Sequence, residues 1–168
     1  MTHNSLEQQF EKAYHEFSDA IFRHCFLRVS DREQAKDIMQ ETFMKAWHFV
    51  SGGNEVENMK AFLYKVANNL VIDFYRKRKD NSLEALQETG FDPGIDIRDN
   101  LFNNIESKRI AGKIQELEPL YRQALTMRYL EDLSPKDIAN VVGETENVIS
   151  VRIHRGIKKL KMILEKEI

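Results

Sequence analysis

The chain has 168 residues, of which 31% are charged, with Gly 7 and Pro 3. This length is short for two large domains but allows two small helical ones of roughly 60 to 80 residues each. The scarcity of helix breakers and the abundance of charges favour long helices with polar faces, so we predict an all-α protein. A single cysteine, Cys25, excludes an internal disulfide. Without a CxxC motif or a Cys/His cluster we expect neither a metal nor a cofactor.

The net charge of -2 argues against a nucleic-acid binder, but the charge is unevenly distributed. Acidic residues concentrate between Asp80 and Glu106, where Arg98 is the single basic residue. Both flanking parts are basic, which allows two nucleic-acid-binding surfaces. The N-terminus lacks an apolar signal core, and no apolar run approaches the roughly 20 residues that span a bilayer. We therefore expect a cytoplasmic protein with no membrane insertion.

Three helices are predicted in the first half from apolar residues spaced three and four apart. The first spans Leu6 to Phe26. The second follows an N-cap at Asp31 and ends near Phe49, before a Ser-Gly-Gly-Asn cluster. Its predicted core positions are Ala35, Ile38, Met39, Thr42, Phe43 and Trp47. The third spans Met59 to about Lys79, with core positions at Ala61, Phe62, Val66, Leu70 and Phe74.

The other face of the third helix mixes amides and cations, and the helix is rich in aromatic residues. Melted DNA needs this mixture, because cations neutralise phosphates, aromatic rings stack on exposed bases and amides bond to base edges. The alternative for the aromatic residues is an ordinary core position. The candidate DNA-binding residues of this helix are Lys60, Lys65, Asn68, Asn69, Arg76, Lys77, Arg78 and Lys79.

The acidic middle segment contains turn signals at Asn81-Ser82, Gly90 and Asp92-Pro93-Gly94 and shows little periodicity. A linker is the simplest interpretation of such a segment. We therefore predict two helical domains at residues 1–80 and 107–168, joined by an acidic linker at 81–106.

The second domain contains a predicted helix-turn-helix. Ser134 and Pro135 are typical of a helix start, Gly143 suits the left-handed turn that ends a helix, and Thr145 can cap the next helix. That next helix should run for some twenty residues, with an apolar seam at Ile149, Ile153, Ile157, Leu160 and Leu164. Its other side is polar and basic, and the second helix of this motif enters the major groove. The alternative is a helical hairpin with a merely solvated basic face.

The two halves together resemble the sigma factors of bacterial RNA polymerase, of the small extracytoplasmic-function type. Asp37 to Phe43, followed by Ala46-Trp47, resembles the region 2 segment of that family, and Ala61 to Lys79 resembles its promoter-melting helix. Leu117 to Ser134 and Val148 to Lys161 resemble region 4. The resemblance implies a region 2 bundle of three or four helices and a region 4 helix-turn-helix. It also implies a subunit that binds the polymerase core, directs it to promoters and helps to open the duplex.

The resemblance also implies roles for individual residues. The polymerase-binding residues would be Asp37, Gln40 and Glu41. The loop from Ser51 to Asn58, with Asn69 and its neighbours, would hold a flipped base of the minus-ten element. The residues reading the minus-thirty-five element would be Asn147, Ser150, Val151, His154 and Arg155. Further DNA contacts would come from Lys136, Arg152, Lys158 and Lys159, although acidic neighbours are an alternative for Arg152, Lys158 and Lys159.

The implied partners are the RNA polymerase core and promoter DNA, and an anti-sigma factor is a further candidate. The linker either threads the basic channels of the polymerase or serves as a solubilising spacer. Asn147-Val148 departs from the Gly-Thr usual in the family, and Gly156 replaces a helix-favouring alanine at a cost near 1 kcal/mol.

The alternative function is a stand-alone helix-turn-helix regulator. An enzyme is not expected, because the histidines show no paired metal spacing and no nucleophile motif is present. His24 and Cys25, although adjacent, are expected to pack in the core.

Overall fold

The computed structural model describes residues 3–79 and 105–167, and all regular secondary structure within these ranges is helical. The all-α prediction is therefore confirmed. The N-terminal unit contains α1 (His3–Val29), α2 (Arg32–Ser51) and α3 (Met59–Lys79). The C-terminal unit contains α4 (Ile105–Ile114), α5 (Pro119–Leu125) with a π-helical turn (Thr126–Leu130), α6 (Pro135–Val142) and α7 (Glu146–Glu165). The predicted linker lies largely outside the described residues, but α4 already begins at Ile105, two residues before the predicted domain boundary.

The N-terminal unit is a three-helix bundle in which each helix packs on the other two. Asp31 caps α2 as predicted, since its carboxylate accepts hydrogen bonds from the backbone N–H groups of Glu33 and Gln34 at 2.9 and 3.1 Å. One core prediction in α2 is wrong. Ala46 is fully buried, whereas Trp47 is half-buried and lies over the ring of Phe10 at 5.2 Å.

Helix α3 has the predicted bounds but a different buried face. Of the predicted core positions only Ala61 is buried; Phe62, Val66, Leu70 and Phe74 are half-buried. The positions that are buried are Leu63, Tyr64, Ala67, Asn68, Val71 and Ile72. The reason is that α3 packs against α1 and α2 and also against α6 of the other unit, so it buries more than one stripe.

The helix-turn-helix of the C-terminal unit is confirmed with its predicted caps. The hydroxyl groups of Ser134 and Thr145 accept hydrogen bonds from the backbone N–H groups of Asp137 and Val148 at 3.1 and 3.2 Å. Gly143 ends α6 with a φ of +76°, a conformation that strains residues with a side chain. Along the predicted seam of α7, Ile149 and Ile153 are buried, and Ile157, Leu160 and Leu164 are half-buried.

The two units are in direct contact. Helix α3 packs along α6, and α1 contacts the turn that follows the π-helical segment. Helix α3 therefore lies beside the first helix of the helix-turn-helix. Among the described residues, no helix is both long enough and apolar enough to cross a membrane.

Candidate polymerase and promoter interfaces

One exposed face of α2 carries the three residues expected to bind polymerase. Asp37, Gln40 and Glu41 are all exposed, and their spacing of three and four residues places them side by side on the helix. Met44 continues the same face and is 61% exposed. The sequence prediction missed Met44, although its position three residues after Glu41 was a usable signal. The face offers acidic, amide and apolar groups together.

Only some of the residues predicted to form a DNA-binding face on α3 are exposed. Lys65, Asn69, Lys77 and Arg78 are exposed. Asn68 is 5% exposed and lies in the core, so it does not belong to this face. It is buried because it follows Tyr64 by one helical turn on the packed side. The side chain of Lys79 lies outside the description.

Three cations of α3 have partners within the chain, and the exposed Lys77 is one of them. The Nζ of Lys60 donates to the carbonyl oxygen of Asp132, in the other unit, at 3.2 Å. Arg76 forms an ion pair with Asp73, and Lys77 lies 3.2 Å from the same carboxylate. Burial alone would raise the pKa of Asp73, but Lys77 and Arg76 outweigh it and lower the pKa.

A cleft of about 550 Å³ lies beside the loop from Ser51 to Asn58, where the resemblance places a flipped base. Phe49 and Phe62 form a pair of rings 5.0 Å apart in its wall, and Phe49 is 41% exposed. The polar groups of the wall come from both units: Glu55, Glu57, Asn58 and Lys65 from the N-terminal unit, and Lys136, Asp137 and Asn140 from α6. The sequence prediction missed Phe49, because it lies at the predicted end of α2.

The outer face of α7 presents a continuous polar surface. Most of the predicted minus-thirty-five residues are exposed there: Asn147, Ser150, Val151, His154, Arg155 and Lys158. Val151 is 38% exposed, so it lies on the open face and not in the helix crossing. An apolar side chain in that position can contact a thymine methyl group.

Two cations near this face are held by acidic neighbours. Arg152 forms an ion pair with Glu144 at 3.2 Å, and Lys159 forms one with Glu118 at 3.0 Å. Lys159 also lies over the ring of Tyr121 at 5.3 Å. Acidic neighbours were one of the two expected alternatives for these cations. Lys136 lies on α6 and is exposed beside the cleft.

A buried ionic cluster lies between the two units. We call His24, Arg28 and Glu131 the interdomain cluster. Arg28 donates to both carboxylate oxygens of Glu131, at 2.6 and 3.0 Å, and the Nδ1 of His24 lies 2.6 Å from Oε1. The three side chains are 0%, 2% and 4% exposed in chain order. The sequence prediction missed this cluster, although an arginine inside the apolar run Cys25 to Val29 was a signal.

The electrostatics of the cluster follow from its geometry. Burial on its own raises the pKa of Glu131, but the nearby Arg28 and His24 lower it to about 2, so this carboxyl is ionised. Cys25, next to His24, is buried as predicted. Burial raises the pKa of its thiol to about 12, which keeps it protonated and unreactive.

Comparison with known proteins supports the two-unit organisation. A family model described as Sigma-70 region 2 matches residues 13–81, and one described as Sigma-70, region 4 matches residues 107–160. The chain is 28% identical to RNA polymerase sigma factor SigV of Bacillus subtilis over 153 residues, covering 88% of this chain and 86% of that protein. It is 26% identical to the extracytoplasmic-function sigma factor SigW of the same species over 155 residues, covering 86% and 83%.

Two solved structures share the fold. One is the sigma factor RpoE in complex with the anti-sigma factor NepR from Bartonella quintana, with a TM-score of 0.69, 21% identity and coverage of 94% of this chain and 98% of that one. The other is CnrH in complex with the cytosolic domain of CnrY, with a TM-score of 0.65, 19% identity and coverage of 96% and 91%. Regions 2 and 4 match in order on the two helical units, and the chain therefore belongs to the sigma-70 family of RNA polymerase sigma factors, of the extracytoplasmic-function type.

Proposed function

We propose that this initiation factor binds core RNA polymerase through the exposed face of α2, recognises promoters through α3 and α7, and assists the opening of the duplex. The observation that carries this proposal is that one chain presents two surfaces with groups suited to DNA, the outer face of α7 and the cleft beside α3. One surface suits duplex DNA and the other suits single strands. A promoter at the start of melting offers both kinds of DNA.

The outer face of α7 suits the major groove of the minus-thirty-five element. The helix follows a capped, glycine-ended α6, which is the arrangement in which a second helix enters the groove by its N-terminal half. Asn147, Ser150 and Arg155 offer hydrogen bonds to base edges, and Arg is the commonest specific partner of guanine. Lys136 and Lys158 are exposed cations that can neutralise phosphates.

The cleft beside the loop from Ser51 to Asn58 suits an unstacked base of the minus-ten element. Flipping a base out of a duplex costs a few kcal/mol, which the protein must offset by stacking and hydrogen bonding. The exposed ring of Phe49 offers stacking, and Asn69 and Lys65 on α3 offer amide and cationic groups. These groups support a role of α3 in melting.

The face of α2 defined by Asp37, Gln40, Glu41 and Met44 is proposed to be the polymerase-binding surface. Methionine is enriched in protein–protein interfaces, and the acidic groups beside Met44 can pair with a basic partner surface. The sigma factor RpoE was solved with the anti-sigma factor NepR bound, and CnrH was solved with the cytosolic domain of CnrY bound. We propose that an anti-sigma factor is a partner of this chain too, and that the chain acts in the cytoplasm, where polymerase is found.

The alternative of a stand-alone helix-turn-helix regulator is not favoured. A regulator of this kind would account for α4 to α7, but it would not explain why residues 13–81 match Sigma-70 region 2. The proposed role needs no catalytic group, because polymerase carries out the chemistry.

Charge reversal at Glu41 tests the proposed polymerase contact. We expect Glu41→Lys to abolish co-purification with core polymerase. The helical content should stay unchanged, because Glu41 is exposed and its side chain is not part of the hydrophobic core. Glu11→Lys makes the same charge change on α1 and serves as the control. Co-purification of Glu41→Lys at the wild-type level would contradict the contact.

A further inference from the structure

The interdomain cluster joins the two units through a buried charge. Glu131 belongs to the C-terminal unit, but both of its side-chain partners, His24 and Arg28, lie on α1 of the N-terminal unit. An ionised carboxylate held away from water depends on its partners, because removing one of them leaves an uncompensated buried charge. The association of the two units is therefore coupled to this one side chain.

The backbone presents Glu131 in a fixed direction. Its N–H donates to the carbonyl of Thr126 at 3.1 Å, which closes the π-helical turn, and Asp132 follows with a φ of +54°. The N–H of Leu133 then bonds to the carbonyl of Met127 at 2.9 Å. These bonds hold the turn tightly, so the carboxylate projects towards α1 without further ordering of the chain.

Two surface contacts lie along the same boundary. Lys60 donates to the carbonyl of Asp132 at 3.2 Å, and the side-chain amide of Asn58 donates to Asp137 at 2.9 Å. Asn58 also lines the cleft proposed for the minus-ten base, and Lys60 lies in the first turn of α3. In this arrangement α6 forms one wall of that cleft.

The packed arrangement cannot serve both promoter elements at once. Elements centred about 25 base pairs apart lie about 85 Å apart along a duplex, at about 3.4 Å per base pair. The two units here are in contact. Residues 80–104 have a contour length of about 80 to 90 Å, which is enough chain for the units to separate over that span.

We propose that the interdomain cluster is a latch that keeps the free chain closed, and that it must open before one chain can engage both promoter elements. The second half of this statement rests on the proposed function. The first half concerns the free chain alone and can be tested without DNA.

Small-angle X-ray scattering of the full chain, without polymerase or DNA, tests the latch. The closed wild-type chain should have a radius of gyration of about 15 Å, as expected for a compact chain of this length. Glu131→Gln removes the charge at nearly constant volume, and we expect a shift of the closed-to-open equilibrium on the order of 100-fold and a larger radius. Glu118→Gln is the matched control, because Glu118 pairs with Lys159 inside the same unit and at the surface.

The latch is supported if Glu131→Gln expands while its circular dichroism and the radius of Glu118→Gln stay at wild-type values. An extended wild-type chain, or a helical Glu131→Gln chain that stays compact, overturns it. If Glu131→Gln loses helix, Arg28→Gln decides, since it breaks the same buried pair from the side of α1 and leaves the π-helical turn untouched. Expansion of a helical Arg28→Gln chain supports the latch, and a helical Arg28→Gln chain that stays compact overturns it. Loss of helix in both variants also overturns it, because the pair would then be required for folding and not for closure alone.

Binding to core polymerase separates failure of the latch from failure of the proposed function. Apparent affinity falls in proportion to the fraction of chain in the binding-competent state. In the presence of core polymerase, a chain released by Glu131→Gln should therefore bind a promoter fragment that carries both elements about tenfold or more tightly than wild type. Equal affinities would overturn the functional half of the latch proposal. Failure of both chains to bind core would overturn the proposed function, while the scattering result would still decide the latch in the free chain.

Discussion

At the scale of single residues, the face of α7 proposed to read DNA contains some side chains that are exposed and others that are paired with acidic residues. Arg155 is exposed, whereas Arg152 on the same helix is half-buried and paired with Glu144. A guanidinium that is already bound to a carboxylate must break that pair before it can contact DNA. Arg155 is therefore the stronger candidate for direct base readout.

Replacement of Arg155 by alanine tests this assignment. We expect Arg155→Ala to weaken initiation by about 1 to 3 kcal/mol, but only at promoters that carry a minus-thirty-five element. Transcription should be compared on paired templates with and without that element. Arg109→Ala on α4 is the control, since Arg109 pairs with Glu106 and with Glu167, which lies beyond the C-terminal end of α7. An equal loss on both templates would refute base readout by Arg155.

Some residues predicted from the sequence to bind DNA are exposed in the structure, and others are buried. Asn68 and Asn69 are neighbours with the same side chain, yet one is in the core and the other is exposed. Periodicity could not separate them, because α3 packs against a second unit whose position is not encoded in the pattern of α3 alone. The pairing of Arg28 with Glu131 depends on the same long-range packing and was equally inaccessible.

At the scale of helices, the sequence was informative because local chemistry sets the ends. The caps at Asp31, Ser134 and Thr145 and the left-handed Gly143 were all predicted, and all are present. Each depends only on residues within one turn, so no tertiary information is needed. The π-helical turn after α5 was not predicted, since nothing local distinguishes it from a continuing helix.

Gly156 shows how packing between helices can override helix propensity. On propensity alone this glycine costs about 1 kcal/mol relative to alanine. In the structure it is buried where α7 crosses α5, and an added Cβ would lie 3.2 to 3.4 Å from three atoms of the Leu125 side chain. Leu125 is itself 0% exposed, so it has little room to move. The glycine therefore permits the close crossing of the two helices.

We expect Gly156→Ala to lower the free energy of unfolding by about 1 kcal/mol, because an overpacking cost of about 1 to 3 kcal/mol exceeds the gain in helix propensity. Urea denaturation followed by circular dichroism measures this difference. Ser150→Ala, at an exposed site of the same helix, should change stability by less than about 0.5 kcal/mol. A more stable Gly156→Ala protein would show that Leu125 yields and that the glycine is not required for packing.

At the scale of the whole molecule, the two matched regions are separate units in sequence and contacting units in the structure. The two-unit organisation could be predicted from the acidic segment between two basic, periodic halves. Their mutual packing could not, because it depends on contacts between residues far apart in the chain, such as that of Arg28 with Glu131. The surfaces proposed for polymerase and for the minus-thirty-five element stay exposed in this arrangement, while α6 lines the cleft proposed for the minus-ten base.

The central claim is that this chain confers promoter-specific initiation on core RNA polymerase. Run-off transcription from genomic fragments of the source organism, by purified core enzyme with and without the chain, tests it most directly. We predict discrete transcripts with defined start sites only when both are present. Transcription by core enzyme that is unchanged by adding the chain would contradict the claim.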